Sequence, residues 1–179
     1  QMYGPVILLY DEILDFNQPI ADLQRPRNTM DECVEWVTAE LNACAELLPA
    51  KQPTQYYGKP TKGACKAIIS ELFLFYARPL FNGNLLYADL ANPDGSLIFP
   101  GIATVDNNRW KYAADAAKEV IDMNLYDLYK VETYGKIDPL KSYQGVFLNL
   151  WNDEIIWGRY LNGYLARVHT TPRVAGGTA

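Results

Sequence analysis

Between Ala64 and Tyr76 the chain is apolar on nearly every side of a would-be helix: Ala64, Cys65, Ala67, Ile68 and Ile69, then Leu72-Phe73-Leu74-Phe75-Tyr76. A helix of that kind has no wet face, so it has to lie between other elements. Pro60-Thr61 offers it a start. Arg78-Pro79 offers an end, because proline lacks the N–H that would extend the ladder and constrains the residue before it. This one segment already demands a layered, helix-rich fold.

Two flanking segments can supply the layers. Thr29-Met30-Asp31-Glu32 has the spacing of a capping box, in which a threonine hydroxyl and a glutamate three residues on satisfy each other's backbone N–H. Apolar residues then recur at Val34, Val37, Leu41, Ala45 and Leu48, one stripe of a helix that Pro49 ends. A third helix runs from Arg109 to Met123 behind Asn107 or Asn108 as cap, with the stripe Trp110, Ala113, Ala117, Val120 and Ile121. Its alanines allow close helix contact, and Trp110 is expected in the core. A weaker helical segment lies near Leu140 to Trp151, with Trp151 also expected inside.

The remainder is irregular. Tyr3 to Tyr10 looks like a buried extended run, followed by a polar loop with Pro19 and Arg25-Pro26. Tyr126, Leu128 and Val131 alternate like a short extended piece, and Asp153 to Trp157 like a short strand. The long stretch 82–108 lacks periodicity, which is uncommon in a compact domain and often functional. A strict repeat of about 34 residues is absent, so a degenerate tetratricopeptide pattern with a long insertion fits better. The fold class expected is mainly α, with tetratricopeptide-like antiparallel helix pairs, long irregular loops and little strand.

Composition narrows the function. The net charge is −5, which leaves no basic footprint for nucleic acid or anionic lipid. His169 is the only histidine, which argues against His-rich metal sites and Ser-His-Asp chemistry. No G-x-S-x-G elbow or glycine-rich phosphate loop is present. Cys33 and Cys44 lie 11 residues apart in one expected helix, about 16 Å, too far for a disulfide. With Cys65 they are expected as buried free thiols. Asn92-Pro93-Asp94-Gly95 hints at a calcium loop, but an EF-hand register puts Leu90 and Gly101 where acids are needed, so a simple turn is expected. No paired carboxylates stand out for glycoside hydrolysis, since Asp153 and Glu154 are adjacent.

Aromatic residues make up 13% of the chain, more than a lean helical core needs. A sugar site needs flat ring faces for pyranose C–H surfaces and polar groups for the hydroxyls. Trp157-Gly158-Arg159-Tyr160-Leu161-Asn162-Gly163-Tyr164 supplies that mixture. The candidate ligand-binding residues are therefore Trp157, Arg159, Tyr160, Asn162 and Tyr164, although Trp157 would serve equally as a core residue closing a strand. Tyr56, Tyr57 and Tyr134 are expected as packing or loop cover. No catalytic residue, metal ligand or cofactor is expected.

Several segments, in order, resemble the SusD/RagB family of nutrient-binding outer-membrane lipoproteins. They are Tyr57-Gly58-Lys59-Pro60-Thr61-Lys62-Gly63-Ala64, Tyr76-Ala77-Arg78-Pro79-Leu80-Phe81-Asn82-Gly83-Asn84, Trp110 to Ile121 followed by Tyr126-Asp127-Leu128, and Asn152-Asp153-Glu154-Ile155-Ile156-Trp157. The resemblance implies a helical fold with tetratricopeptide-like pairs and non-catalytic capture of a glycan or other nutrient at the cell surface. It implies a partner, a TonB-dependent (SusC-like) outer-membrane transporter, and attachment to the outer membrane by a lipid anchor. On this reading residues 1–179 form a single helical-repeat fragment of a larger SusD-like domain, without that anchor. The alternative is a tetratricopeptide-like scaffold that binds proteins and no sugar.

Overall fold

The structure, a computed structural model, describes residues 4–149 and 151–158. Among them are five α-helices and one short ribbon: α1 (Ile20–Leu23), α2 (Met30–Leu47), α3 (Lys62–Ala77), α4 (Asn108–Asp122), β1 (Glu132–Thr133), β2 (Lys136–Ile137) and α5 (Pro139–Leu148). The architecture is mainly α, with long irregular connections.

The caps follow local chemistry. Thr29 Oγ1 accepts from Glu32 N at 3.2 Å, and Glu32 Oε2 accepts from Thr29 N at 2.8 Å, a complete capping box on α2. The Thr29 N–H, helped by the Asn28 amide, holds the Glu32 carboxyl below the usual carboxylate range. Thr61 Oγ1 accepts from Ala64 N at 3.3 Å to start α3. Asn107 makes no capping bond at α4. Asp106 does that work instead, its Oδ1 accepting from Asn108 N at 2.9 Å. Asp138 caps α5, with Pro139 at the first helical position, where its missing N–H costs nothing.

Side-chain pairs give the helix directions. Lys62 and Lys66 at the start of α3 meet Glu46 and Asn42 late in α2, both at 2.9 Å, while Tyr76 near the end of α3 donates to Asp31 at the start of α2 at 2.7 Å. Lys66 also reaches Glu119 of α4 at 2.9 Å, and Phe73 meets Tyr112 with ring centroids 6.0 Å apart. Each series runs head to tail, so α2 with α3, and α3 with α4, are antiparallel pairs. The all-round apolar helix is the middle one, as its composition requires.

The face that α4 turns inward differs from the one its periodicity suggested. Ala113 and Ala116 are buried, whereas Trp110 is 43% exposed and Ile121 is 72% exposed. Arg109 faces inward in place of Trp110. Its guanidinium lies 3.8 Å from the Tyr76 ring centroid, pairs with Asp31 at 3.3 Å and donates to the Phe81 carbonyl at 2.8 Å. Placing Arg109 there rotates its neighbour Trp110 by about 100° around the helix, out towards solvent. Trp151 is half-buried and not in the core.

Burial, and then the bond to Asp31, push the Tyr76 phenol well above the ordinary tyrosine range. The fold therefore favours the neutral phenol, and this contribution is fully present below the unfolded tyrosine's pKa of 10.0. It is lost as pH rises beyond that value. In urea melts across pH 8 to 11, the wild type should lose stability more steeply at the alkaline end than Tyr76→Phe. Parallel slopes would refute it.

The core gathers Met30 and Val34 of α2 with Phe81, Ile98, Phe99 and Ile102 of the irregular stretch. Rings form a chain through it: Phe75–Phe81 at 4.9 Å, Phe81–Phe99 at 5.8 Å and Phe99–Tyr87 at 5.7 Å. The long segment is thus half core plug, held by two buried asparagines. Asn82 Oδ1 accepts from Asp106 N at 2.7 Å, while its Nδ2 donates to Asp106 O at 2.9 Å. Asn92 grips Arg27 in the same manner, N and O both at 2.9 Å. The Asn92–Gly95 turn is a simple one, closed by Gly95 N on Asn92 O at 2.9 Å with Gly95 at φ +86°.

Other expectations are corrected. In the opening run Leu8 is buried, but Val6, Ile7, Leu9 and Tyr10 are exposed. Of the cysteines, all free, Cys65 alone is buried; Cys33 is half-buried and Cys44 exposed. Asp153 to Trp157 forms turns and not a strand, because Asn152 folds the segment back by accepting from Glu154 N at 3.0 Å and Ile155 N at 3.1 Å. Residues 126–131 form no paired strand. The ribbon that follows turns at Tyr134 (φ +54°) and Gly135 (φ +72°), the left-handed pair of a tight hairpin turn, and leaves Tyr134 wholly exposed with nothing beneath it.

Candidate functional site

Two irregular segments meet beside the amino end of α3. The first, residues 48–61, carries Tyr56 and Tyr57. The second, residues 151–158, carries Trp151 and Trp157. Tyr57 stacks on Trp151, centroids 4.6 Å apart and planes 19° from parallel. Trp157 Nε1–H donates to the Gly58 carbonyl at 3.0 Å. Gly58 sits at φ +91°, and a Cβ there would come within 3.3 Å of the Gly158 carbonyl. A glycine is required both for the turn and for this close approach.

The second segment is pinned from below. Asn152, buried, donates to the Val146 carbonyl at 3.1 Å. Asp127 N–H donates to the Asp153 carbonyl at 3.2 Å, and Tyr129 N–H to Glu154 Oε2 at 3.0 Å. Residues 126–129 are in turn seated on two helices. Tyr126 presses against Gly63 of α3, where a Cβ would stand 2.0 Å from its hydroxyl oxygen. Tyr129 presses against Gly145 of α5, where a Cβ would stand 2.2 Å from its ring. Glycine at both points lets a ring lie flat on a helix.

The result is a ring cluster that stays partly in water. Trp157 is 52% exposed, Tyr56 44% and Tyr57 42%. The Trp157 indole N–H is satisfied, so its ring is held and not loose. Tyr56 is covered on one side by the Lys59 ammonium, 4.1 Å from the ring centroid. Beneath the stacked pair, Tyr126 and Asn152 border a cleft of about 100 Å³. That is well below the roughly 300–1,000 Å³ of a pocket that engulfs a small molecule. A ligand here has to lie across the rings.

Of the residues singled out from sequence, Trp157 is in this cluster, exposed rather than closing a strand. Arg159, Tyr160, Asn162 and Tyr164 lie outside the described residues. Tyr57, expected as packing or loop cover, packs on Trp151, which is expected in the core and is half-buried. Only the pairing of two distant loops reveals them, and no local pattern encodes it. Among the described residues, no three His, Cys, Asp or Glu side chains gather as a metal site would need. No helix among those residues is long and apolar enough to cross a membrane.

Antiparallel helix pairs carrying rings on irregular loops define a helical scaffold with a loop-borne site. No protein-family model matches the chain, and no curated protein matches it by sequence. Solved structures do match. BT4246 aligns with a TM-score of 0.63 at 27% identity, over 80% of this chain and 24% of its own. Its selenomethionine form gives 0.60 at 26% identity, over 79% and 23%. A SusD-like protein (BF3747) from Bacteroides fragilis gives 0.59 at 22% identity, over 92% of this chain and 24% of that one. The chain has a SusD-like fold, in agreement with its sequence motifs, and spans about a quarter of the length of the structures it matches.

Proposed function

We propose that this chain is a helical-repeat segment of a protein that captures a glycan at the cell surface and delivers it, chemically unchanged, to a TonB-dependent outer-membrane transporter. The observation that carries the reading is the ring platform of exposed Tyr57 and Trp157, with half-buried Trp151 stacked on Tyr57. Flat apolar faces beside polar backbone and amide groups suit a pyranose better than a folded protein surface. The SusD-like fold adds the nutrient-binding context, the transporter as partner and lipid attachment to the outer membrane. The helix pairs are the frame that meets the transporter. On the same reading Arg159, Tyr160, Asn162 and Tyr164, which lie outside the described residues, are proposed as further ligand contacts.

In the full-length protein, Trp157→Ala should weaken binding to a responsive polysaccharide about tenfold, the order expected for losing one stacked ring. Affinity electrophoresis against a panel of soluble polysaccharides, followed by calorimetry, reads it. Wild-type retention by none of them, or unchanged wild-type affinity in both Trp157→Ala and Tyr57→Ala, would remove this platform from the account.

A further inference from the structure

The cleft beneath the Tyr57–Trp151 stack holds about 100 Å³. An apolar cavity of about 150 Å³ admits a benzene ring, so this one takes a substituent of a few heavy atoms and not a sugar ring. A pyranose lying across the platform can send one such group into it. The cleft walls then act as a filter on that group.

The walls are of three kinds. Leu125, Ile155 and Ile156, all half-buried, present apolar surface. Lys51, from segment 48–61, brings an ammonium, and Asp153, from segment 151–158, brings a carboxylate. Both residues are exposed, and neither side chain has a hydrogen-bond or ion-pair partner among the described residues. The neighbouring lysines differ: Lys62 is paired with Glu46, and Lys59 lies over the Tyr56 ring. The carbonyl of Asp153 is held by the Asp127 N–H at 3.2 Å, so its carboxylate rides on a pinned segment.

A donor-only cation and an acceptor-only anion at one cleft sort the common sugar substituents. A free amine suits Asp153 but meets a like charge at Lys51. A carboxylate suits Lys51 but meets a like charge at Asp153. A bare hydroxyl pairs with either and leaves Leu125 and the isoleucines facing water. An acetamido group meets all three walls: its C=O accepts from Lys51, its N–H donates to Asp153, and its methyl covers the apolar surface. It is neutral, so neither charge opposes it. We propose that the cleft seats the acetamido group of an N-acetylhexosamine, so that the site selects acetylated amino sugars over plain hexoses. This rests on the reading of the platform as a glycan site.

Calorimetry on the full-length protein with two matched pairs tests it: N,N′-diacetylchitobiose against cellobiose, and N-acetyllactosamine against lactose. Within each pair the sugars differ only by acetamido groups in place of hydroxyls at C2. At least one acetylated sugar should bind about tenfold more tightly than its plain partner. Lys51→Met and Asp153→Ala, at exposed side chains, should each shrink that preference about threefold, with Tm and the plain sugar's affinity unchanged. Trp157→Ala should weaken both members of the pair. N-acetylalanine methylamide, which has amides and no sugar ring, should not compete. The proposal is overturned if plain sugars bind as tightly as acetylated ones, if both cleft variants keep the full preference, if neither pair binds, or if the ringless amide competes equally. Plain and acetylated sugars that bind alike and both depend on Trp157 would remove the acetamido filter and leave the platform standing. The platform itself falls only with its own polysaccharide panel.

Discussion

Asn82→Leu should destabilise the fold by about 3 kcal/mol, read as a drop in the urea midpoint at unchanged m-value. The side chain is 4% exposed and acts as a strip of backbone: one amide face pairs with both the N–H and the C=O of Asp106. A third contact, 3.4 Å to the Ala77 carbonyl, ties it to the end of α3. Leucine fills similar space but leaves the Asp106 N–H without its partner and its carbonyl with only the Arg109 N–H, at 3.4 Å. Such an orphaned group costs about 1–3 kcal/mol, and the Asn82 amide's own bonds are lost with it. The damage should spread to α4, because Asp106 also caps that helix. Hydrogen exchange should therefore speed up at residues 108–111 before it does in α2. A loss below 1 kcal/mol would mean that water replaces the asparagine freely.

Phe81→Ala should cost about 3–5 kcal/mol, the range for removing a large buried ring. Phe81 is 6% exposed and touches Phe75 on one side and Phe99 on the other. It joins the α3 face to the plug of residues 98–102, so its loss opens a cavity between them. Phe81→Leu should cost clearly less, since it keeps most of the volume. Thermal denaturation of the pair gives the comparison; equal losses would place the cost in ring stacking and not in the cavity.

The parts of the fold that were legible in sequence are those specified within one turn of chain. Thr29 with Glu32, Thr61 after Pro60, and the apolar circumference of residues 64–76 each state a local requirement, and α2 and α3 formed as that requirement dictates. The inward face of α4 was not legible. Arg109 is normally a surface residue, and it faces inward only because Asp31, the Tyr76 ring and the Phe81 carbonyl, all distant in sequence, converge on it. The ribbon turn was missed for a different reason, since tyrosine at positive φ is a poor turn signal. Likewise the apolar run Leu97-Ile98-Phe99 was too short to show that an irregular stretch enters the core.

The site divides along the same line. Trp157 stood out because rings and glycines cluster around it in sequence. Its partners Tyr57 and Trp151 come from two loops 94 residues apart, and only tertiary packing makes a platform of them.

The seating of Tyr126 on Gly63 has a consequence for how such a platform evolves. Position 63 lies inside a helix and meets no ligand, yet the ring resting on it borders the cleft under the stacked pair. Enlarging the residue by one carbon obliges Tyr126 to move, and its neighbour Asp127 is hydrogen-bonded to the loop that bears the tryptophans. The shape of the platform can therefore drift through a hidden lever in the frame while every ring in it stays the same.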